Sequence, residues 1–205
     1  MRRRRRHDLR PDRPRVFGIG LNKTGTTSFD AAVKILGFRS LHYGGPTVHD
    51  AVQRAIEDGA PLLSNLDQRF DAFSDIGLLS RRFRLLDEQY PGSHFVLTTR
   101  PVDDWIESRR RHVEFNRRRH ATGRYAGDFL TVDETTWREE WEHHLEGVRT
   151  YFAGRTDFLE VDLAADPSWG PLCTLLAMPE PTRRFPEANR SAARKVKRRW
   201  RSATP

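Results

Sequence analysis

Apolar positions along the 205-residue chain fall into short runs that alternate with helical stripes. Val16-Phe17-Gly18-Ile19-Gly20 is a short apolar run closed by a turn signal, which predicts a buried strand. A Gly/Thr-rich turn follows, and Phe29, Val33 and Leu36, spaced by four and three, predict a helix that Gly37 stops. A second helix is predicted from Val48 to Asp58, ended by Gly59 and Pro61, and a third from Leu78 to Tyr90, closed by Pro91-Gly92. His94 to Thr99 has the β-branched and apolar content of a central strand, and Pro101 stands at a first helical position with Asp103 and Asp104 in the first turn. Asp133 to Phe152 carries Trp137, Trp141, Leu145 and Val148 on one helical stripe. Thr156 to Val161 predicts a third strand, and Trp169 to Leu176 a short helix ended by Pro179. Strands alternating with helices imply an α/β fold in three layers, α/β/α, around a central, mainly parallel sheet.

Charge divides the chain where this pattern does not. The formal net charge of +8 is concentrated at the ends: residues 1–15 carry +6 and residues 190–205 carry +7, so the body between them is mildly acidic at −5. Residues 1–14, with five consecutive arginines and nothing apolar to bury, are expected to form a disordered basic arm. The domain is expected over 15–190, with 191–205 as a basic helix or tail. Basic ends on an acidic body argue against specific nucleic-acid binding as the main activity, because no interleaved aromatics or recognition module accompany them. No apolar run approaches the ~18 residues of a membrane span, and no export signal is read, since the apolar stretch after the arginines is too short. With a single cysteine, Cys173, and no zinc spacing, a cytoplasmic setting is expected.

The strongest chemical signal is Gly20-Leu21-Asn22-Lys23-Thr24-Gly25-Thr26-Thr27-Ser28, placed between a predicted strand and a predicted helix. Backbone N–H groups at such a turn, with the helix N-terminus behind them, form a cradle for phosphate. The stretch nearly matches the nucleotide-triphosphatase pattern G-x-x-x-x-G-K-[ST], with Gly20, Gly25 and Thr27 in register, but Thr26 occupies the lysine position and Lys23 precedes the second glycine by two residues. The plain alternative is a turn that uses glycine for geometry and threonine as a cap.

This loop resembles that of the sulfotransferases that use 3′-phosphoadenosine 5′-phosphosulfate (PAPS), especially a bacterial-type branch with an N-K-T-G-T-T-S loop. The resemblance implies a P-loop-like fold and cofactor contacts at Asn22, Lys23, Thr24, Gly25, Thr26, Thr27 and Ser28, with the lysine on the oxygen bridging phosphate and sulfate. Family members hold the 3′-phosphate with an arginine at a strand end and a serine eight residues later; here these are Arg100 and Ser108. Ser108 lies about two helical turns after Pro101, on the side that starts beside the strand end. Arg100 can offer a bidentate fork to phosphate and Ser108 a hydroxyl. Taken alone, both residues would read as ordinary surface side chains. Leu36-Gly37-Phe38 with His42, Phe70-Asp71-Ala72 with Asp75, Tyr90-Pro91-Gly92 and Phe185-Pro186-Glu187-Ala188-Asn189 extend the resemblance over about 15–190. Ile76, where relatives often have proline, and Pro101, where they often have aspartate, depart from it.

Sulfuryl transfer moves a formally neutral SO3 unit, so a lysine and hydroxyl clamp suffices without a metal. The base is open between His42, whose residue type suits proton abstraction near neutrality, and Asp75, with Asp71 weaker. A hydrogen-bonded structural histidine and a helix-capping aspartate are the plain readings of the first two. Trp105 reads either as an adenine neighbour or as packing, and the arginines from Arg109 to Arg119 either as an anion attractor or as a solvated face. The competing functions are a P-loop nucleotide kinase or NTPase and a non-catalytic nucleotide- or RNA-binding module. The acceptor class, whether small molecule, glycan or lipid, is not written in these motifs.

Overall fold

A computed structural model describes residues 13–188; the expected C-terminal helix or tail and nearly all of the basic arm lie outside them. Five parallel strands form one sheet in the order β2-β3-β1-β4-β5. They are β1 (Val16–Gly18), β2 (Ser40–His42), β3 (Ala72–Ser74), β4 (His94–Thr98) and β5 (Phe158–Val161). The helices are α1 (Thr26–Ile35), α2 (Gly45–Glu57), α3 (Gly77–Ser80), α4 (Phe83–Gln89), α5 (Val102–His120), α6 (Glu134–Tyr151) and α7 (Gly170–Leu175).

Successive strand residues face opposite sides of a sheet, and both sides here are apolar. Phe17, Phe73 and Phe95 point one way and stack across three neighbouring strands, with centroids 5.5 and 5.4 Å apart. They join Leu86, Trp105, Trp141, Val148 and Phe152 in one core. Val16, Ala72 and Val96 point the other way and pack with Phe29, Val33, Trp169 and Leu172 of the second core. The expected α/β/α layering is therefore present, with α1 and α7 on one side and the aromatic residues of α5 and α6 on the other.

Two strands escape the periodicity argument. β2 and β3 are three residues each, and Ser40-Leu41-His42 has no apolar run to announce it. Their partners specify them: His42 pairs in register with Ser74, and Ala72 lies between Val16 and Ser40. The helix predicted from Leu78 to Tyr90 is two helices, broken at Arg81-Arg82. Ile76, Leu79, Phe83 and Leu86 all bury in one core, so a bent pair of helices shows the same spacing as a straight one. Pro101 caps α5 from outside rather than occupying its first turn. Arg13, assigned by sequence to the arm, lies on the body, with its guanidinium 3.2 Å from the centroid of Phe38 and a hydrogen bond of 3.2 Å to the Gly37 carbonyl.

Candidate active site

The strands are parallel, so their carboxyl ends all emerge on one edge, where ligands of open α/β sheets bind. β1 sits between β3 and β4, and the loop that leaves it is pinned from several directions. His144 of α6 meets the Ile19 carbonyl through Nε2 at 2.8 Å. The Trp105 indole donates to the Asn22 carbonyl at 2.7 Å, and Arg100 donates to the Lys23 carbonyl at 2.8 Å. Thr24 turns its hydroxyl inward, donating to the Leu21 carbonyl at 2.6 Å and meeting the Thr98 hydroxyl at 2.7 Å. Gly20 is required by space: a Cβ there would stand 2.1 Å from Thr98 Oγ1.

The carbonyls of Ile19, Leu21, Asn22 and Lys23 are thus all engaged by side chains. Lys23 and Gly25 take left-handed backbone at φ 69° and 101°, and no side chain caps the start of α1. The first N–H groups of a helix have no intrahelical partner, so an uncapped start keeps them available to an anion. Thr27 and Asn22 are exposed beside this turn, and Thr26 is buried. The Ser28 hydroxyl accepts from the Ala188 amide at 3.0 Å, which ties the C-terminal stretch to α1 and still leaves the hydroxyl proton to donate.

The loop faces two groups from neighbouring strand ends. His42 ends β2, with Nδ1 2.9 Å from Ser74 Oγ and Nε2 3.8 Å from a carboxylate oxygen of Asp75. Asp75 follows β3 with φ 59°. Its other oxygen is enclosed without a hydrogen-bond partner among the described residues. Burial raises the Asp75 pKa, against the opposing pull of His42, Lys23 and the Thr26 hydroxyl. Burial likewise lowers the pKa of Lys23; Asp75 opposes that shift and Arg109 adds to it. The strand ends therefore bring together Lys23, Thr26, His42 and Asp75, residues separated by up to some fifty positions in the sequence.

Arg100 follows β4 and Ser108 lies on α5. Arg100 Nε is enclosed without a hydrogen-bond partner among the described residues, while Nη1 holds the loop. Ser108 stands three residues after Trp105, so it shares the side of α5 that carries the contact to Asn22. Among the described residues, no group of His, Cys, Asp and Glu could hold a metal ion, and no helix is long and apolar enough to cross a membrane.

The model of the family described as the sulfotransferase domain matches residues 15–127 and 115–194, nearly the whole described chain. The chain belongs to this family. No curated protein matches it.

Two residues of this sulfotransferase domain hold the loop without standing out in the sequence. Arg109 looks like one more arginine of a charged face, yet it is buried and caged by Trp105, Phe129 and Trp137, its guanidinium 4.7 to 4.9 Å from their centroids. It pairs with Glu140 at 3.2 Å, which also pairs with Arg81. Its one sequence signal is position, four residues after the buried Trp105. His144 lies on the Trp141 side of α6 and shows no motif at all. Trp105 itself is fully buried, 5.0 Å from Trp141, which is the packing alternative of its two readings.

Proposed function

We infer that this sulfotransferase domain takes its sulfuryl group from PAPS and passes it to a hydroxyl or amine of an acceptor. The observation that carries the reading is the placement of Lys23 beside an uncapped helix start, facing His42 and Asp75. PAPS would supply an activated sulfuryl group on a phosphate leaving group. The residues fit such a ligand: Arg100 retains an enclosed Nε without a partner, and Lys23 makes no ion pair among the described residues.

In this reading the N–H groups of 25–28 and the hydroxyls of Thr26, Thr27 and Ser28 bind the 5′-phosphate. Lys23 stabilises charge on the bridging oxygen as the bond to sulfur breaks. Thr24 acts through its backbone, since its hydroxyl is engaged inside the loop. Arg100 and Ser108 hold the 3′-phosphate. In the tautomer whose Nδ1–H is donated to Ser74, His42 keeps Nε2 to take the acceptor's proton, and the neighbouring Asp75 carboxylate stabilises the imidazolium that results. Neither charge transfer requires a metal.

Calorimetric titration with adenosine 3′,5′-bisphosphate and with ATP, without magnesium, tests the donor. Binding of the bisphosphate that Lys23→Ala and Arg100→Ala both weaken supports PAPS. Preference for ATP, with Arg100 irrelevant, moves the assignment to a nucleotide kinase.

A further inference from the structure

Helix α5 continues past the donor site with a feature that the donor does not use. Ser108, His112, Phe115 and Arg119 recur at spacings of four, three and four, which places them in one stripe along the helix. At 1.5 Å per residue the stripe extends about 16 Å from Ser108. One flank of α5 is covered, because Asn116 and Arg117 donate to the carbonyls of Phe129 and Leu130 at 3.2 and 2.7 Å. The far end of the stripe is open: Phe115 is 55% exposed, and the exposed Arg119 holds its guanidinium 5.5 Å from the Phe115 centroid.

The surroundings are cationic. Of the seven arginines in residues 109–124, Arg109, Arg110, Arg111 and Arg117 pair with Glu140, Glu134, Glu107 and Glu114. Arg118, Arg119 and Arg124 form no ion pair among the described residues. His112 joins this surface to the donor end. Its ring packs 5.4 Å from Phe129, its Nδ1 is enclosed without a hydrogen-bond partner among the described residues, and burial with Lys23 and Arg109 lowers its pKa to about 4. A neutral imidazole beside Lys23 can both donate and accept a hydrogen bond.

We propose that the His112–Phe115–Arg119 stripe, which begins one turn beyond Ser108, is the acceptor track of this sulfotransferase domain and takes an acidic saccharide chain. A sugar ring lies on Phe115, its carboxylates meet Arg118 and Arg119, and a hydroxyl passes His112 toward Lys23. One isolated aromatic suits the sparse apolar face of a sugar; single-stranded nucleic acid is bound by successive stacking platforms. The proposal deepens the reading of the Lys23 site and rests on it for the direction of the track.

The full chain is titrated with a glucuronate-containing hexasaccharide, with maltohexaose and with oligouridylate. Phe115→Ala leaves the net charge unchanged, so binding through the basic ends is the same in variant and wild type. The acidic hexasaccharide is expected to bind, maltohexaose to bind at least about tenfold more weakly, and Phe115→Ala and Arg119→Ala each to weaken the acidic ligand by about fivefold. Affinity for adenosine 3′,5′-bisphosphate stays unchanged in both variants. Hexasaccharide binding indifferent to Phe115, or oligouridylate binding that depends on it, overturns the track. Failure of the wild type to bind the bisphosphate strikes the donor reading, and the Phe115 comparison is scored independently of it.

Discussion

Arg100 Nη1 donates to the main-chain carbonyl of Lys23 at 2.8 Å, so the residue that leaves β4 fixes the loop that leaves β1. One guanidinium thereby couples the two halves of the proposed donor site. Arg100→Ala removes the proposed phosphate fork and leaves the Lys23 carbonyl without its partner. Affinity for adenosine 3′,5′-bisphosphate is expected to fall about 100-fold. Arg100→Lys keeps the charge but loses the planar fork, and a fall of about tenfold is expected. Calorimetry on the three proteins measures this order, and equal dissociation constants would remove Arg100 from the site.

Asp75 sets stability against the proposed catalytic role. Its pKa is raised, chiefly by burial, so ionising the carboxyl in the folded protein costs more than in the unfolded chain. Asp75→Asn removes that charge, and asparagine tolerates the φ of 59° at this position. The variant is expected to be more stable than wild type by about 1 kcal/mol. The sign follows from linkage: the difference is full above the raised pKa, where the wild type holds an ionised carboxylate, and shrinks as pH falls and Asp75 takes up a proton. Thermal melts at neutral and acid pH measure it. Release of adenosine 3′,5′-bisphosphate from PAPS is expected to slow about 100-fold in the same variant. A variant that is both less stable and fully active would make Asp75 a structural group.

How far the site could be read from sequence depended on where its information lies. Lys23 and the glycines around it are contiguous and sit between a clear strand and a clear helix, so their pattern is local. Arg100 and Ser108 were named only through the family resemblance, since taken alone both read as surface side chains, and their pairing on a 3′-phosphate belongs to the proposed function. The pairing of His42 with Asp75 was not legible, since it depends on β2 and β3, which three-residue strands specify only through their neighbours. Arg109 was hidden for the opposite reason: its composition matches the exposed arginines around it, and only the cage of Trp105, Phe129 and Trp137 distinguishes it. The break between α3 and α4 was invisible because core residues on two short helices kept a continuous helical spacing.

The threonines of the loop divide by what their hydroxyls touch. Thr24 is committed to the Leu21 carbonyl and Thr98, whereas Thr27 is exposed on the first turn of α1. Thr24→Val keeps the shape and removes the hydroxyl, leaving a buried carbonyl and a buried hydroxyl short of partners. A loss of about 1–3 kcal/mol in stability is expected. Thr27→Val is expected to leave stability within about 0.5 kcal/mol and to weaken bisphosphate binding about tenfold. Denaturant melts and calorimetry on both variants separate the roles; a stability loss at Thr27 with none at Thr24 would reverse them.

Gly20 offers the sharpest test of the loop's geometry. A Cβ there would lie 2.1 Å from the Thr98 hydroxyl oxygen and 2.3 Å from the Thr98 carbonyl, and the second of these is backbone that cannot swing aside. Gly20→Ala must therefore push the loop off β4, breaking the register that lets Thr24 meet Thr98 and Arg100 meet Lys23. A loss of about 1–3 kcal/mol is expected from the overpacking, with bisphosphate binding lost together with it. Gly37 provides the contrast: a Cβ there meets nothing within 4 Å, but φ is 85°. Gly37→Ala is expected to cost about 1–2 kcal/mol from the left-handed backbone alone and to leave the dissociation constant of the bisphosphate unchanged. Melts paired with titrations distinguish a glycine kept for space at the site from one kept for conformation away from it. If Gly20→Ala bound the bisphosphate as wild type does, contact between the loop and Thr98 would not be what shapes the anion cradle.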